Sequence, residues 1–115
     1  MLKTLTNDAK FLLSSMYIEY LNKRKSGATK KDSMFFGNVD KIHSEIMPEW
    51  LYEDVLFTCF ELKRHGFIKG MQLDKNLIRI SITTEAIALS EITFKDKINI
   101  VLEYAGKIKA AIPFL

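Results

Sequence analysis

Between Glu49 and Ser90 the periodicity of the chain changes from helical to strand-like and back, and that succession leaves few folds open. A helix-spaced apolar run, Leu51, Val55, Leu56, Cys59 and Leu62, ends at His65-Gly66, where glycine suits a left-handed C-terminal cap. Phe67 to Leu73 and Leu77 to Ile82 then read as two short strands joined at Asp74-Lys75-Asn76. In the second, Ile78, Ile80 and Ile82 alternate with Leu77, Arg79 and Ser81, the period of a half-buried strand. Thr83 or Thr84 caps a further helix from Glu85 to Glu91. Helix, hairpin, helix at these lengths is an α+β pattern.

Upstream, a helix is predicted from about Asn7 to Lys25, with Thr6 or Asn7 as its cap, Asp8 at its positive end and Lys23-Arg24-Lys25 at its negative end. Leu12, Met16 and Tyr20 form one stripe, and Phe11, Ile18 and Leu21 widen it enough to predict contacts on two sides. Ser26 to Asp32 reads as a polar loop, and Ser33 to Phe36 as a short strand ended by Gly37. Asn38 caps a second helix carrying Val39, Ile42 and Ile46 on one face, and Pro48 stops it. The third helix restarts at about Glu49. Beyond the hairpin, Phe94, Ile98, Val101, Ala105, Ile108 and Ile112 fall at alternating steps of four and three, the seam of a helix pair over 93–112.

At 115 residues the chain is read as one domain, 1–115, with its core over 6–91. Hydrophobic residues make up 48%, including eight Phe, four Tyr and one Trp, so a packed core is expected. A net charge of +3 is too mild to mark a nucleic-acid binder by composition. One cysteine excludes an internal disulfide and fits a reducing compartment. Met1 to Asp8 lacks the apolar run of a secretion signal, and no apolar stretch approaches the roughly 20 residues that span a bilayer. The expectation is a cytoplasmic protein without a membrane partner.

The full order, with a strand between the first two helices, predicts a winged helix-turn-helix with a long C-terminal amphipathic helix. Phe60-Glu61-Leu62-Lys63-Arg64-His65-Gly66-Phe67-Ile68-Lys69-Gly70 resembles the "leucine, Lys/Arg, x, Gly, Tyr/Phe, Ile, x, Gly" run of the YjcQ-like small winged-helix proteins of bacteria and phages. Ile82-Thr83-Thr84-Glu85-Ala86-Ile87 is similar to that family's "Leu-Thr-x-x-Gly-x" turn, with Ala86 in place of the glycine. The resemblance spans roughly 52–112. It implies a winged-helix fold, with the third helix and the wing as the usual surfaces for DNA or protein.

On the third helix, Glu53, Asp54, Phe57, Thr58, Glu61 and Arg64 are predicted to face away from the core. Four acids (Glu49, Glu53, Asp54, Glu61) oppose Lys63 and Arg64, so that helix repels phosphate and is a poor reader of bases. Cations gather elsewhere. Lys23, Arg24, Lys25, Lys30 and Lys31 surround the first loop, and Lys69, Lys75 and Arg79 lie on the hairpin. These eight are the expected phosphate contacts of a small regulatory protein that associates with double-stranded DNA in a bacterial or mobile-element system. The alternative is a protein-interaction module using Glu53, Phe57 and Glu61, with Trp50 and Tyr52 in the core. The plainer account makes the acids and cations a solvated surface. The C-terminal seam is expected to form a homodimer, with packing inside the chain as the competing arrangement.

No enzyme is expected. Cys59 sits on the buried stripe, away from cations that would activate it, and His43 and His65 lack a nucleophile nearby in sequence. Glu61 and His65, four apart, supply half a metal site at most. No Gly-rich phosphate loop or dinucleotide motif is present, so no cofactor is expected.

Overall fold

A computed structural model describes residues 5–93. The helix expected over 93–112 lies outside them from Phe94 onward, as does the dimer assigned to its seam. The described residues form an α+β domain with five helices and one three-stranded antiparallel sheet. In chain order these are α1 (Asn7–Lys25), α2 (Lys30–Met34), β1 (Phe35–Gly37), α3 (Val39–Glu45), α4 (Tyr52–Arg64), β2 (Ile68–Leu73), β3 (Asn76–Ile82) and α5 (Thr84–Thr93). The sheet order is β1-β3-β2, which puts the last strand in the middle.

Helix α1 has the predicted bounds. Thr6 caps it, its hydroxyl accepting from the Ala9 amide at 3.2 Å. Ala9, Leu12, Leu13, Met16, Tyr17 and Tyr20 are buried along it, more than one stripe of the helix surface. The loop predicted over Ser26–Asp32 is shorter, because Thr29 accepts from the Asp32 amide and starts α2. Ser33 and Met34 therefore close a helical turn instead of opening a strand, and β1 begins at Phe35. Asn38 caps α3 as predicted, its side-chain oxygen accepting from the Lys41 amide at 3.0 Å.

Helix α4 starts at Tyr52, not Glu49. Pro48 and Glu49 lie in a turn that closes from the Trp50 amide onto the Met47 carbonyl. The turn buries the Trp50 ring, stacked 6.1 Å from Phe11 of α1. Leu51 becomes the N-cap and is 72% exposed, so it leaves the predicted buried stripe. Val55, Cys59 and Leu62 remain fully buried. Gly66, at φ +79, ends the helix in the left-handed conformation its position requires.

The hairpin turns at Asp74-Lys75, with Asp74 at φ +60. Its register changes midway. Ile68 and Lys69 pair with Ile82 and Ser81, but Met71 pairs with Ile78, so Arg79 and Ile80 together oppose Gly70. This bulge carries Arg79 at φ +55 and shifts the alternation of β3. Leu77, Ile80 and Ile82 are consequently buried, while Ile78 is only half-buried beside Met71. The predicted inward set of Ile78, Ile80 and Ile82 is corrected accordingly. Gly70 sits in a tight place, since a Cβ there would lie 3.0 Å from Leu77 Cγ and that side chain would have to give way by a few tenths of an ångström.

Thr83 joins the hairpin to α5. Its hydroxyl accepts from the Ala86 amide at 3.1 Å and donates to the Gly66 carbonyl at 2.8 Å. Phe36, Val39, Ile42, Ile68, Leu77 and Ile80 belong to one buried cluster with the inner sides of α1 and α4.

Candidate functional site

The outward side of α4 carries an exposed aromatic among charged residues. Phe57 is 71% exposed at its centre. Glu53, Phe57, Phe60 and Arg64 follow at steps of four, three and four, which brings them onto one stripe of the helix. That stripe lies opposite buried Val55, Cys59 and Leu62. Glu53, Phe57 and Arg64 are exposed and Phe60 is half-buried. Beside its C-terminal half, Phe60, Lys63, Arg64 and Gln72 line an open cleft of about 390 Å³ between α4 and β2. The acids Glu53 and Asp54 occupy the first turn and the cations Lys63 and Arg64 the last, as the helix dipole favours.

Two residues predicted on this face are not there. Glu61 is only 6% exposed. Its carboxylate accepts from the Thr6 amide at 2.9 Å and the Thr6 hydroxyl at 2.8 Å. In a capping box the helix's own third residue does this work, and that position in α1 is Ala9. Glu61 supplies the missing carboxylate from a different helix, and its charge favours the positive end of α1. Thr58 is buried too, its hydroxyl donating to the Asp54 carbonyl at 2.7 Å. Helix α1 packs against α4, and Glu61 meets the residue that caps it.

The predicted phosphate contacts divide. Lys23 Nζ donates to the Phe35 carbonyl at 2.8 Å and lies 4.3 Å from the Phe36 ring centroid, so it ties the end of α1 to β1. Burial lowers its pKa, and Lys41 adds to that effect against Glu19 and Glu45. Arg24 donates to the Ala28 carbonyl at 3.1 Å and holds the turn after α1. Lys25, Lys30, Lys31, Lys69, Lys75 and Arg79 are exposed. Lys69, Ser81 and Phe35 are register partners across the three strands, so they share the outer face of the sheet.

Among the described residues, Cys59 is buried and both histidines bond to backbone carbonyls. Burial pushes the Cys59 thiol up to about 12, which keeps it a neutral, unreactive thiol near neutral pH. His43 Nε2 lies 2.6 Å from the Trp50 carbonyl, and His65 Nδ1 lies 3.0 Å from the Glu61 carbonyl. A carbonyl only accepts, so both ring nitrogens carry a proton there. Among the described residues no group of three or more His, Cys, Asp or Glu is placed to hold a metal ion. Nor is any described helix long and apolar enough to cross a membrane. A second cleft, of about 410 Å³, opens between the end of α4 and the start of α5 near His65, Phe67, Lys69 and Glu85. Its Thr83 hydroxyl and His65 Nδ1 are already bonded to backbone carbonyls.

Sequence reasoning passed over Phe60 and Gln72. The step pattern through Glu53, Phe57, Phe60 and Arg64 was available, but a search for apolar periodicity skips a stripe whose ends are charged. Comparison with protein-family models, with curated proteins and with solved structures finds no match to this chain.

Proposed function

We propose that the chain is a winged-helix domain, without catalytic activity, that uses the exposed face of α4 to bind a protein. The element order and the β1-β3-β2 sheet, with β2 and β3 as the wing, support the winged-helix assignment. The likeness of residues 60–70 to YjcQ-like proteins supports the same architecture. One observation carries the choice of partner class. Phe57 stands 71% exposed on the helix that would enter the major groove of DNA, one turn beyond the exposed acids Glu53 and Asp54, which phosphate would repel. A desolvated aromatic anchor with a charged rim is the usual core of a protein interface.

The test is a photo-cross-linker. With p-benzoylphenylalanine in place of Phe57, irradiation of living host cells should yield an adduct to protein. The same probe in place of Asp8, exposed on α1, is the control. Absence of any protein adduct at position 57 would count against the proposal. A second reading, contact with DNA backbone, is favoured by the exposed cations Lys25, Lys30, Lys31, Lys69, Lys75 and Arg79.

A further inference from the structure

The exposed stripe of α4 is its own complement when two copies of the helix run antiparallel. A two-fold axis midway between Phe57 and Phe60 sets Phe57 of each copy level with Phe60 of the other. The same operation sets Glu53 of each copy level with Arg64 of the other. The steps of four, three and four are the spacing that lets such side chains interdigitate along a helix pair. A parallel pair would stack Glu53 on Glu53 and Arg64 on Arg64, so charge selects the antiparallel one. The acidic first turn of one helix then lies over the basic last turn of the other, with their dipoles opposed.

We propose that the partner of the α4 face is a second copy of this chain, bound through an antiparallel α4 pair. The inference rests on α4 being a protein-binding face and names its occupant. Each Phe57 ring, now exposed, enters the partner copy's cleft beside Phe60 and Gln72. The interface is isologous, so one complementary stripe serves both subunits and the assembly closes at two. Helix α4 has 13 residues and is about 20 Å long, so the pair buries an area at the small end of specific interfaces. The expected dissociation constant is on the order of 10 to 100 µM.

The experiment uses the full chain and two single substitutions at exposed positions, E53R and R64E. Sedimentation equilibrium of the wild type, over concentrations spanning that constant, should show a reversible monomer–dimer equilibrium. Each substitution places like charges opposite each other at both ends of the pair and should weaken self-association about ten-fold or more. An equimolar mixture of E53R and R64E should regain dimer, seen as the mixed species by native mass spectrometry. Far-UV circular dichroism checks that both variants keep the fold. A wild type that stays monomeric throughout, single variants that dimerise as well as wild type, or a mixture that stays monomeric would each overturn the inference. If the wild type is monomeric while the Phe57 cross-linker captures a different protein, α4 remains a protein-binding face and only self-association is lost.

Discussion

Two non-glycine residues of the β2–β3 hairpin have positive φ, Asp74 in the turn and Arg79 inside a strand, and Arg79 is the one that interrupts the ladder. At φ +55 it is the extra residue of the bulge, and an L side chain in that region costs roughly 1 kcal/mol or more. Replacing Arg79 by Gly should therefore stabilise the domain, by about 0.5–1 kcal/mol, seen as a higher urea midpoint at unchanged slope. A drop in the midpoint would mean that the side chain contributes more than the backbone loses. Across the strand the opposite holds. Gly70→Ala would push a Cβ to 3.0 Å from Leu77 Cγ and 3.2 Å from the Ile78 carbonyl, and should destabilise by about 1–3 kcal/mol in the same assay. The two positions oppose each other in the sheet, so the bulge and its glycine are one device.

Among the elements, the contact that decides the role of α4 is its carboxylate clamp on α1. Glu61 satisfies both donors of Thr6, and Thr6 in turn accepts from the Ala9 amide, so residues 55 apart in sequence, on two helices, share one cap. Glu61→Ala removes two charge-assisted hydrogen bonds and leaves the first turn of α1 short of an acceptor. The expected loss is about 1–2 kcal/mol in a denaturation midpoint. An interface role would instead leave stability untouched and change binding. On the opposite flank, Tyr52 at the start of α4 donates its hydroxyl to the Asn76 side chain at 3.2 Å, and the His43 ring meets the Tyr52 ring edge-on. Helix α4 is thereby fastened to α1, α3 and the β2–β3 hairpin, which leaves the Glu53–Arg64 stripe as its free side among the described residues.

For the molecule as a whole, the distribution of cations separates the two readings of its partner. Lys23 and Arg24 are bonded within the fold, so they add little to any phosphate-binding surface. DNA contact through Lys25, Lys30, Lys31, Lys69, Lys75 and Arg79 would make affinity fall steeply with salt, on the order of 0.9 logarithmic units per tenfold salt for each phosphate neutralised. A protein-binding domain should show no duplex retardation at physiological salt in a gel-shift titration, and K30E with K31E should leave its partner binding unchanged. Sheet topology supports either use, since β1-β3-β2 with an exposed hairpin is only a scaffold.

Local chemistry made most of the framework legible in the order of residues. Thr6 and Asn38 as caps, Gly66 as a helix end and Thr83 ahead of α5 each act on the backbone within a few positions, so neighbours alone predict them. The polar stretch before β1 misled because Thr29 had a cap partner at Asp32, one short turn that propensity barely marks. What stayed hidden was decided across distance. Whether an acid on α4 meets solvent or Thr6 depends on where α1 lies, and which isoleucines of β3 point inward depends on one extra residue opposite Gly70. Periodicity locates a face but does not say what stands against it. That is settled by packing between segments remote in the chain, which buried Glu61 against Thr6, drew the half-buried Lys23 onto the Phe35 carbonyl and left Phe57 on the surface.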